Sequence, residues 1–518
     1  MRSYSPQLCC LRQEKGRKRY SVKPLSSWER GWGEVIEMES TMIKFFALII
    51  ALATVVQAAM LSDTCNQNTW VTNGPVNAIA TAGDKVYIGG QFTQVGPYIG
   101  GVFDSTHSVS RNCIAALDAT TGKALDWNPN ANDRVWSIIV SGSTVYVGGD
   151  FTSIGGQNRN HIAALDATTG NALAWNANTN GGVYALGVSG TTIYAGGGFF
   201  LLGGQPCTNI CALNATTGDV LAWKPGADGY IYSLAVNETT VYAGGYFGSI
   251  GGQNRHNIAA LDAITGNATA WNANTNGEVY ALAVSGPTVY VGGKFTSISG
   301  QSRRCIAALD ATTGNALAWN PNIWTSKIYS PSVYTLVVNG TTIYSGGDFD
   351  SVGRQSRSYI TALDATTGNT LPWNPNANGQ VQSLAMNGAT LFAGGQFTSI
   401  GQGIGHPYFA KFDSSYNSPV IRSILASSSS KNSSLKIISS NSRSGALVKF
   451  IYILSKADYV SLRLYTLNGQ LQSELVNKHQ PAGNYSLSMQ GGNLATGAYL
   501  VAFKSGDYHQ EKMIFLMK

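Results

Sequence analysis

Seven Gly-Gly pairs, each closing a β-type run and each followed two residues later by Phe, recur along the chain at a nearly fixed interval. They begin at Gly89, Gly148, Gly196, Gly244, Gly292, Gly346 and Gly394. Four of the six steps are 48 residues, the first is 59 and the fifth is 54, so one unit has been copied with insertions at only two places. Units of this length cannot bury their apolar faces singly and become stable only by stacking on neighbours, as in propellers and solenoids. The chain is therefore expected to be all-β, with a function that belongs to the assembled array.

Each unit reads as four short strands. In the fifth, Val279 to Val284 alternates, Ser285-Gly286 turns, Thr288 to Val291 alternates again, and Gly292-Gly293 ends the run. A polar loop over 299–303 leads into Cys305 to Asp310, Ala311-Thr-Thr-Gly314 turns, and Ala316-Leu-Ala-Trp319 makes the fourth strand. The last unit stops after Phe409-Ala-Lys-Phe412, whereas Thr69-Trp70-Val71 stands ahead of the first, where a fourth strand belongs. Such sharing pairs an otherwise open sheet edge and closes a ring, which an open stack has no need of. The expectation is a seven-bladed β-propeller over residues 62–414, with Trp70 joining Trp127, Trp175, Trp223, Trp271, Trp319 and Trp373 at one template position.

The ALDATTGxxLAWNPN segment resembles the tryptophan-docking repeat of PQQ-type propellers, and GGQFTSIGGQxR with it resembles the delta-60-like repeats of secreted bacterial proteins. The resemblance implies that each Trp packs against a neighbouring blade. It implies no single activity, because such propellers serve as enzymes, scaffolds and binding modules alike. PQQ alcohol dehydrogenases carry adjacent half-cystines beside the cofactor, and the one adjacent pair here, Cys9-Cys10, precedes the repeats. No cofactor is expected.

Only 12% of residues are charged, against about 25% in average domains, as suits short strands joined by tight turns. The formal charge of +7 is unevenly spread: residues 62–414 hold 14 Lys/Arg and 18 Asp/Glu, and residues 415–518 hold 11 and 4. A mildly acidic repeat region argues against nucleic acid as a partner. Met42-Ile-Lys44, the apolar run Phe45 to Val56 and Gln57-Ala-Ala59 have the layout of a signal peptide over 42–58, too short to span a bilayer. Residues 1–41 would displace that signal from the terminus, so translation is expected to start at Met42 or Met38 and the earlier segment not to be part of the product.

A Ser-rich linker is read over 415–434. Beyond it, 435–518 resembles the type A sorting domain of the type IX secretion system. The carrying residues are Leu464-Tyr-Thr-Leu-Asn-Gly469, Pro481-Ala-Gly-Asn-Tyr-Ser486, Leu494-Ala-Thr-Gly-Ala-Tyr499 and the basic end Lys512 to Lys518. The resemblance implies a small Ig-like β-sandwich, the type IX machinery as a partner, and secretion from, or display on the outer membrane of, a Gram-negative bacterium; a monomer is expected.

Chemical motifs are scarce. The sequence contains no HExxH, CxxC, GxSxG elbow or Walker loop, and His107, His161, His256 and His406 have no metal-ligand spacing. Cys207 and Cys211 share a loop and can pair, while Cys113 and Cys305 occupy the same site in distant units. The Asp that ends the third strand, as in Asp118, Asp166 and Asp310, is expected to cap the following turn. Arg111, Arg159, Arg255, Arg303 and Arg357 recur in the preceding loop, and the third unit loses both residues together, which suggests an Arg to Asp pair. The loops beginning at Asn176, Asn272 and Asn374 mimic a calcium loop in spacing, but Asn supplies neutral oxygens and turn-capping is the better account. No metal site is expected.

Both insertions, near Gly96 to Ser110 and Ile323 to Ser332, fall on one face, since both loop types lie at the start of the first strand. Insertions confined to one face often build a binding surface. The same rim carries Trp136, Tyr184, Tyr232, Tyr280 and Tyr334, second in the first strand, with Trp324 and Tyr329 in the insertion. These aromatics either pack between blades or stack on a ligand. Trp324 is assigned to no template position and is the preferred single candidate. Two classes of function stay open: a non-catalytic module that binds an extracellular glycan or protein, and a polysaccharide hydrolase or lyase with Asp residues meeting in the channel.

Overall fold

The computed structural model describes residues 61–413 except 100, 329 and 402–404, and residues 434–516 except 443–444, 455, 467–469, 491–496 and 507. The segment 1–41, the signal peptide at 42–58, Tyr329 and all of the linker but Ser434 lie outside them. Every regular element among the described residues is a β-strand, and all pairing is antiparallel.

One three-stranded pattern recurs along the repeats, first strand to second to third. It runs from Val76–Ala82, Lys85–Gly90 and Ile114–Asp118 to Val381–Asn387, Thr390–Gly395 and Phe409–Phe412. The expected fourth strand is reduced to a single bridge, such as Leu165 with Ala172 or Leu261 with Ala268. Its next carbonyl is taken by the recurring arginine instead: Arg159 Nη2 donates to Leu173 O at 2.8 Å and Arg303 Nη2 to Leu317 O at 2.7 Å.

That bond also corrects the expected Arg to Asp pair. Asp166 Oδ1 accepts from Thr168 N, Thr169 N and Thr169 Oγ1 at 2.7–3.0 Å, and these donors, the Thr169 amide first, hold its carboxyl below the ordinary value. Asn214 accepts the same two amide bonds in the third unit, from Thr216 N and Thr217 N. The two losses in that unit are therefore independent: Asn keeps the cap, and Cys207, at the Arg site, is disulfide-bonded to Cys211.

The Gly-Gly pairs work at the contact between units. A Cβ on Gly148 would stand 2.7 Å from Val183 Cγ1 of the next first strand, and one on Gly346 would stand 2.6 Å from Val381 Cγ1. Gly394 meets Val76 at 2.6 Å in the same way, so the last repeat touches the first through the contact that joins other neighbours. First strands pack on first strands throughout, with Val381–Asn387 against Val76–Ala82. Ser383 Oγ accepts from Ile79 N at 3.0 Å and Thr81 Oγ1 donates to Met386 O at 2.8 Å across the same join.

The tryptophans rivet each unit to the next. Trp175 packs edge-on to Tyr146 with centroids 5.6 Å apart and donates Nε1 to Asn214 O at 2.9 Å in the following unit. Trp271 does the same with Tyr242, at 5.4 Å, and Asp310 O, at 3.0 Å. The tyrosine hydroxyl adds a second bond forward, as in Tyr146 to Ala215 O at 2.7 Å. A buried indole that both packs and donates is a strong inter-unit contact.

The seam between last and first repeats is built differently. Asn66 N donates to Lys411 O at 2.8 Å, the register in which Leu125 N meets Ala116 O. Counting on from Asn66 puts Asn68, not Trp70, at the place of Trp127; the expectation for Trp70 is corrected. Buried Cys65, whose Sγ donates to Ile400 O, fixes that register, and Trp70 falls two residues beyond the docking site, with its amide on Gly122 O. Trp373 Nε1 ends on Ser62 O, and Phe392, in the place of the tyrosines, stacks on Phe409. In compensation Lys411, where other units have Ala, donates Nζ to Thr120 O of the first unit at 2.7 Å and pairs with Asp413 at 3.4 Å.

The C-terminal strands form a three-stranded and a four-stranded sheet, among them Gly445–Leu454, Asp458–Thr466 and Gly497–Ser505. Phe450, Tyr452 and Leu454 of the first sheet share one buried cluster with Val460, Leu462, Leu464, Tyr499, Val501 and Phe503 of the second. Two sheets facing across one apolar layer make a sandwich.

Candidate functional site

Register shifts explain why the rim aromatics project. In the second unit Gly148 pairs with Ser137 and Gly149 with Val135, which leaves Trp136 as the extra residue of a bulge. The same shift isolates Tyr184, Tyr232, Tyr280 and Tyr334. A bulged residue makes no ladder bond and is free to be re-aimed. The second glycine allows the bulge: a Cβ on Gly293 would collide with Glu278 O, and one on Gly347 with Ser332 O.

Five rings thus follow one another around the rim. Centroid separations are 6.4 Å from Trp136 to Tyr184, 6.1 Å to Tyr232, 5.6 Å to Tyr280 and 5.5 Å to Tyr334. All five are half-buried: the rings touch across units, as the packing reading expects, and each keeps part of its surface exposed. In the first and last units the bulge residues are Asn77 and Gln382, so the arc is open. Tyr230 and Tyr246, 49% and 58% exposed, pair with each other beside the arc; Tyr230, the first residue of its strand, stands one place ahead of the repeated alternation and so is not among the sequence candidates. Burial, then the charges of Asp150 and Tyr230, raises the Tyr184 phenol, and burial, then Glu278, raises that of Tyr232. Both hydroxyls are therefore donors at neutral pH.

The carboxylates of this rim are held one by one. Asp150 Oδ2 accepts from Trp136 Nε1 at 2.7 Å, and Glu278 accepts from the Tyr280 hydroxyl. Asp348 pairs with Lys327 Nζ at 2.9 Å and accepts from Gln380 Nε2 at 3.0 Å.

Trp324 stands apart from the arc, on a cleft of about 730 Å³ lined by Asn320, Asn322, Thr325, Ser326, Asp350 and Arg354, among others. Contrary to expectation it does occupy a template position. Ile323 pairs with Val352 as Thr179 does with Leu202, so Trp324 stands where the other units have Asn73, Asn132, Asn180, Asp228, Asn276 and Asn378. Each of those caps the next hairpin; Asn180 Oδ1, for example, accepts from Phe200 N and Leu201 N. These bonds confirm the capping account of the Asn-rich loops. At Trp324 the roles reverse, and Asp350 of the hairpin accepts from Ser326 N at 2.6 Å and from Ser326 Oγ and Thr325 Oγ1 of the insertion. Burial pushes the Asp350 carboxyl up, but these donors outweigh it and leave the group below its ordinary value. Freed from capping, Trp324 is 52% exposed, with the Arg304 guanidinium 3.9 Å from its ring.

Among the described residues no three His, Cys, Asp or Glu side chains are grouped so as to hold a metal, and no helix is long and apolar enough to cross a membrane.

No curated protein matches the chain. Among solved structures, the computationally designed protein Ika8 is 17% identical, with a TM-score of 0.40 over 67% of this chain and 92% of its own. PorZ of Porphyromonas gingivalis, a surface component of that organism's type-IX secretion system, is 11% identical, with a TM-score of 0.28 over 86% and 81%. The N-terminal domain of Nup159 is 9% identical, with a TM-score of 0.30 over 67% and 90%. The family model described as outer membrane protein assembly factor BamB, built on PQQ-like repeats, matches residues 67–294 and again 158–399. Together these matches cover more than half of the chain, in the repeats whose tryptophans dock forward onto the next unit, and the protein belongs to this PQQ-like repeat family.

Proposed function

We propose that the chain is a non-catalytic binding module, a closed seven-bladed β-propeller that takes an extracellular glycan or protein segment on its aromatic rim. The observation that carries this reading is the unbroken run of five rings from Trp136 to Tyr334. Rings in series offer apolar faces to sugars or to an extended chain, with phenol hydroxyls to bond their polar groups. The blade count is supported by the glycine contacts that run from unit to unit and return from Gly394 to Val76. Binding is preferred to hydrolysis because glycoside cleavage needs two carboxylates facing one bond, and Asp150, Glu278 and Asp348 are each engaged by their own neighbours.

Screening the full chain on glycan and peptide arrays tests the reading. Tyr232→Ala with Tyr280→Ala should weaken the best ligand about tenfold, at about 1 kcal/mol or less per ring. A blank array, or affinity unmoved by the double variant, would overturn it.

We further propose that 435–518 is an Ig-like type A sorting domain that delivers the protein, as a monomer, through the type IX system to the medium or the outer-membrane surface. Support comes from the motifs at Leu464, Pro481 and Leu494 and from the two-sheet core. A chain ending at 433 should stay in the periplasm of a type IX host, as fractionation would show; its release to the medium would contradict the assignment.

A further inference from the structure

Because the protein is written in repeats, each unit is a control for the others, and departures from the shared pattern can be mapped. Four converge on the Trp324 cleft. Trp324 replaces a capping Asn or Asp; Arg304 replaces Asn112, Asn160, Thr208, His256 and Ser358; Asp350 replaces Thr93, Thr152, Phe200, Gly248, Thr296 and Thr398. Arg354 replaces Gly156, Gly204, Gly252 and Gly300 at a hairpin tip where φ is +67°, close to the +70° to +76° of those glycines. A left-handed conformation costs a side-chain-bearing residue about 1–2 kcal/mol. Strain of this sort is kept where the side chain has a use.

The charges at the cleft do not balance. Asp350 is spent on Ser326 and Thr325 of the insertion. Arg304 lies on the indole, Arg354 is exposed, and among the described residues neither guanidinium meets a carboxylate. What remains is a half-exposed aromatic plane beside two cations that outnumber the one carboxylate, Asp350, by one. We propose that this cleft binds an acidic sugar, its pyranose face laid on the part of Trp324 that Arg304 leaves open and its carboxylate or sulfate received by Arg354. Guanidinium groups match planar or tetrahedral anions with paired hydrogen bonds, and the exposed plane matches the C–H face of a sugar ring. A peptide added as a strand fits less well, because the strand at the cleft, Ile323–Trp324, is two residues long and already pairs with the hairpin. This inference rests on the binding reading above and names the ligand's chemistry.

The test is calorimetry on the full chain with four probes of matched length: oligogalacturonate, its methyl ester, a sulfated oligosaccharide and an acidic peptide. At least one acidic sugar should bind at least about tenfold tighter than the neutral ester, the difference one charge-assisted contact supplies. Arg354→Gly and Trp324→Asn write back the residues that other units carry, and melting curves matching the parent show that both variants fold. The first should abolish the preference for acid and the second should weaken both sugars about tenfold or more. Neither acidic sugar binding tighter than the neutral ester, a preference for the peptide, no binding of any probe, or indifference to both variants would overturn the inference. If a ligand on the arrays still depends on Tyr232 and Tyr280, the binding reading survives that failure; if the arrays are blank as well, both fall.

Discussion

Trp271→Ala should destabilise the repeat domain by about 3–5 kcal/mol, whereas Trp70→Ala should cost no more than about 1 kcal/mol. Trp271 is 3% exposed, packs edge-on to Tyr242 and donates to Asp310 O of the next unit. Its removal opens a cavity at an inter-unit junction and leaves the Asp310 carbonyl with one donor, Gly314 N, in place of two. Trp70 is only partly buried, and its bond to Gly122 O is made by its main-chain amide, which any residue supplies. Urea denaturation of the two variants checks the contrast; equal losses would restore Trp70 to the docking register.

Lys411→Ala should cost about 3 kcal/mol although it installs the residue that other units carry there. The ammonium bonds Thr120 O across the seam and neutralises Asp413, and both side chains are almost fully buried. Removing one member of a buried pair strands the other charge, which costs more than removing both. Lys411→Ala with Asp413→Asn should therefore recover part of the loss. Melting curves of the two single variants and the double decide it, and additive losses would show that the pair does not act as a unit.

Much of this architecture was legible in sequence because it is periodic. Gly-Gly pairs at a nearly fixed interval, alternation on either side and an Asp or Asn before each Thr-Gly turn report constraints that recur at the same place in every copy. What misled were relations that need main-chain register. Trp70 looked like a seventh docking residue by kind and approximate spacing, and only the Asn66 to Lys411 bond reveals the offset of two. Trp324 looked like an extra residue because the insertion hides its alignment with the capping Asn, which the Ile323 to Val352 pairing restores. The joint loss of Arg and Asp in the third unit looked like coupling, but a carbonyl acceptor such as Leu173 O has no signature in sequence. The aromatic rim was readable as a set of positions; its continuity, and its interruption at Asn77 and Gln382, follow from how the bulges aim side chains in space.

The seam has a consequence for a chain that emerges from one end. The segment that completes the last repeat is made first, and its partners lie more than 300 positions further on, 335 from Cys65 to Ile400 and 347 from Asn66 to Asp413. Until the final repeat exists, Cys65 and Asn66 lack the partners they meet there, Ile400, Lys411 and Asp413, and the last sheet has no leading segment to pair with. Long loops are slow to close, so this join is the last to form. The ring thereby proofreads its own length: a molecule cut short anywhere in its final repeat leaves two unsatisfied edges rather than one slightly smaller circle.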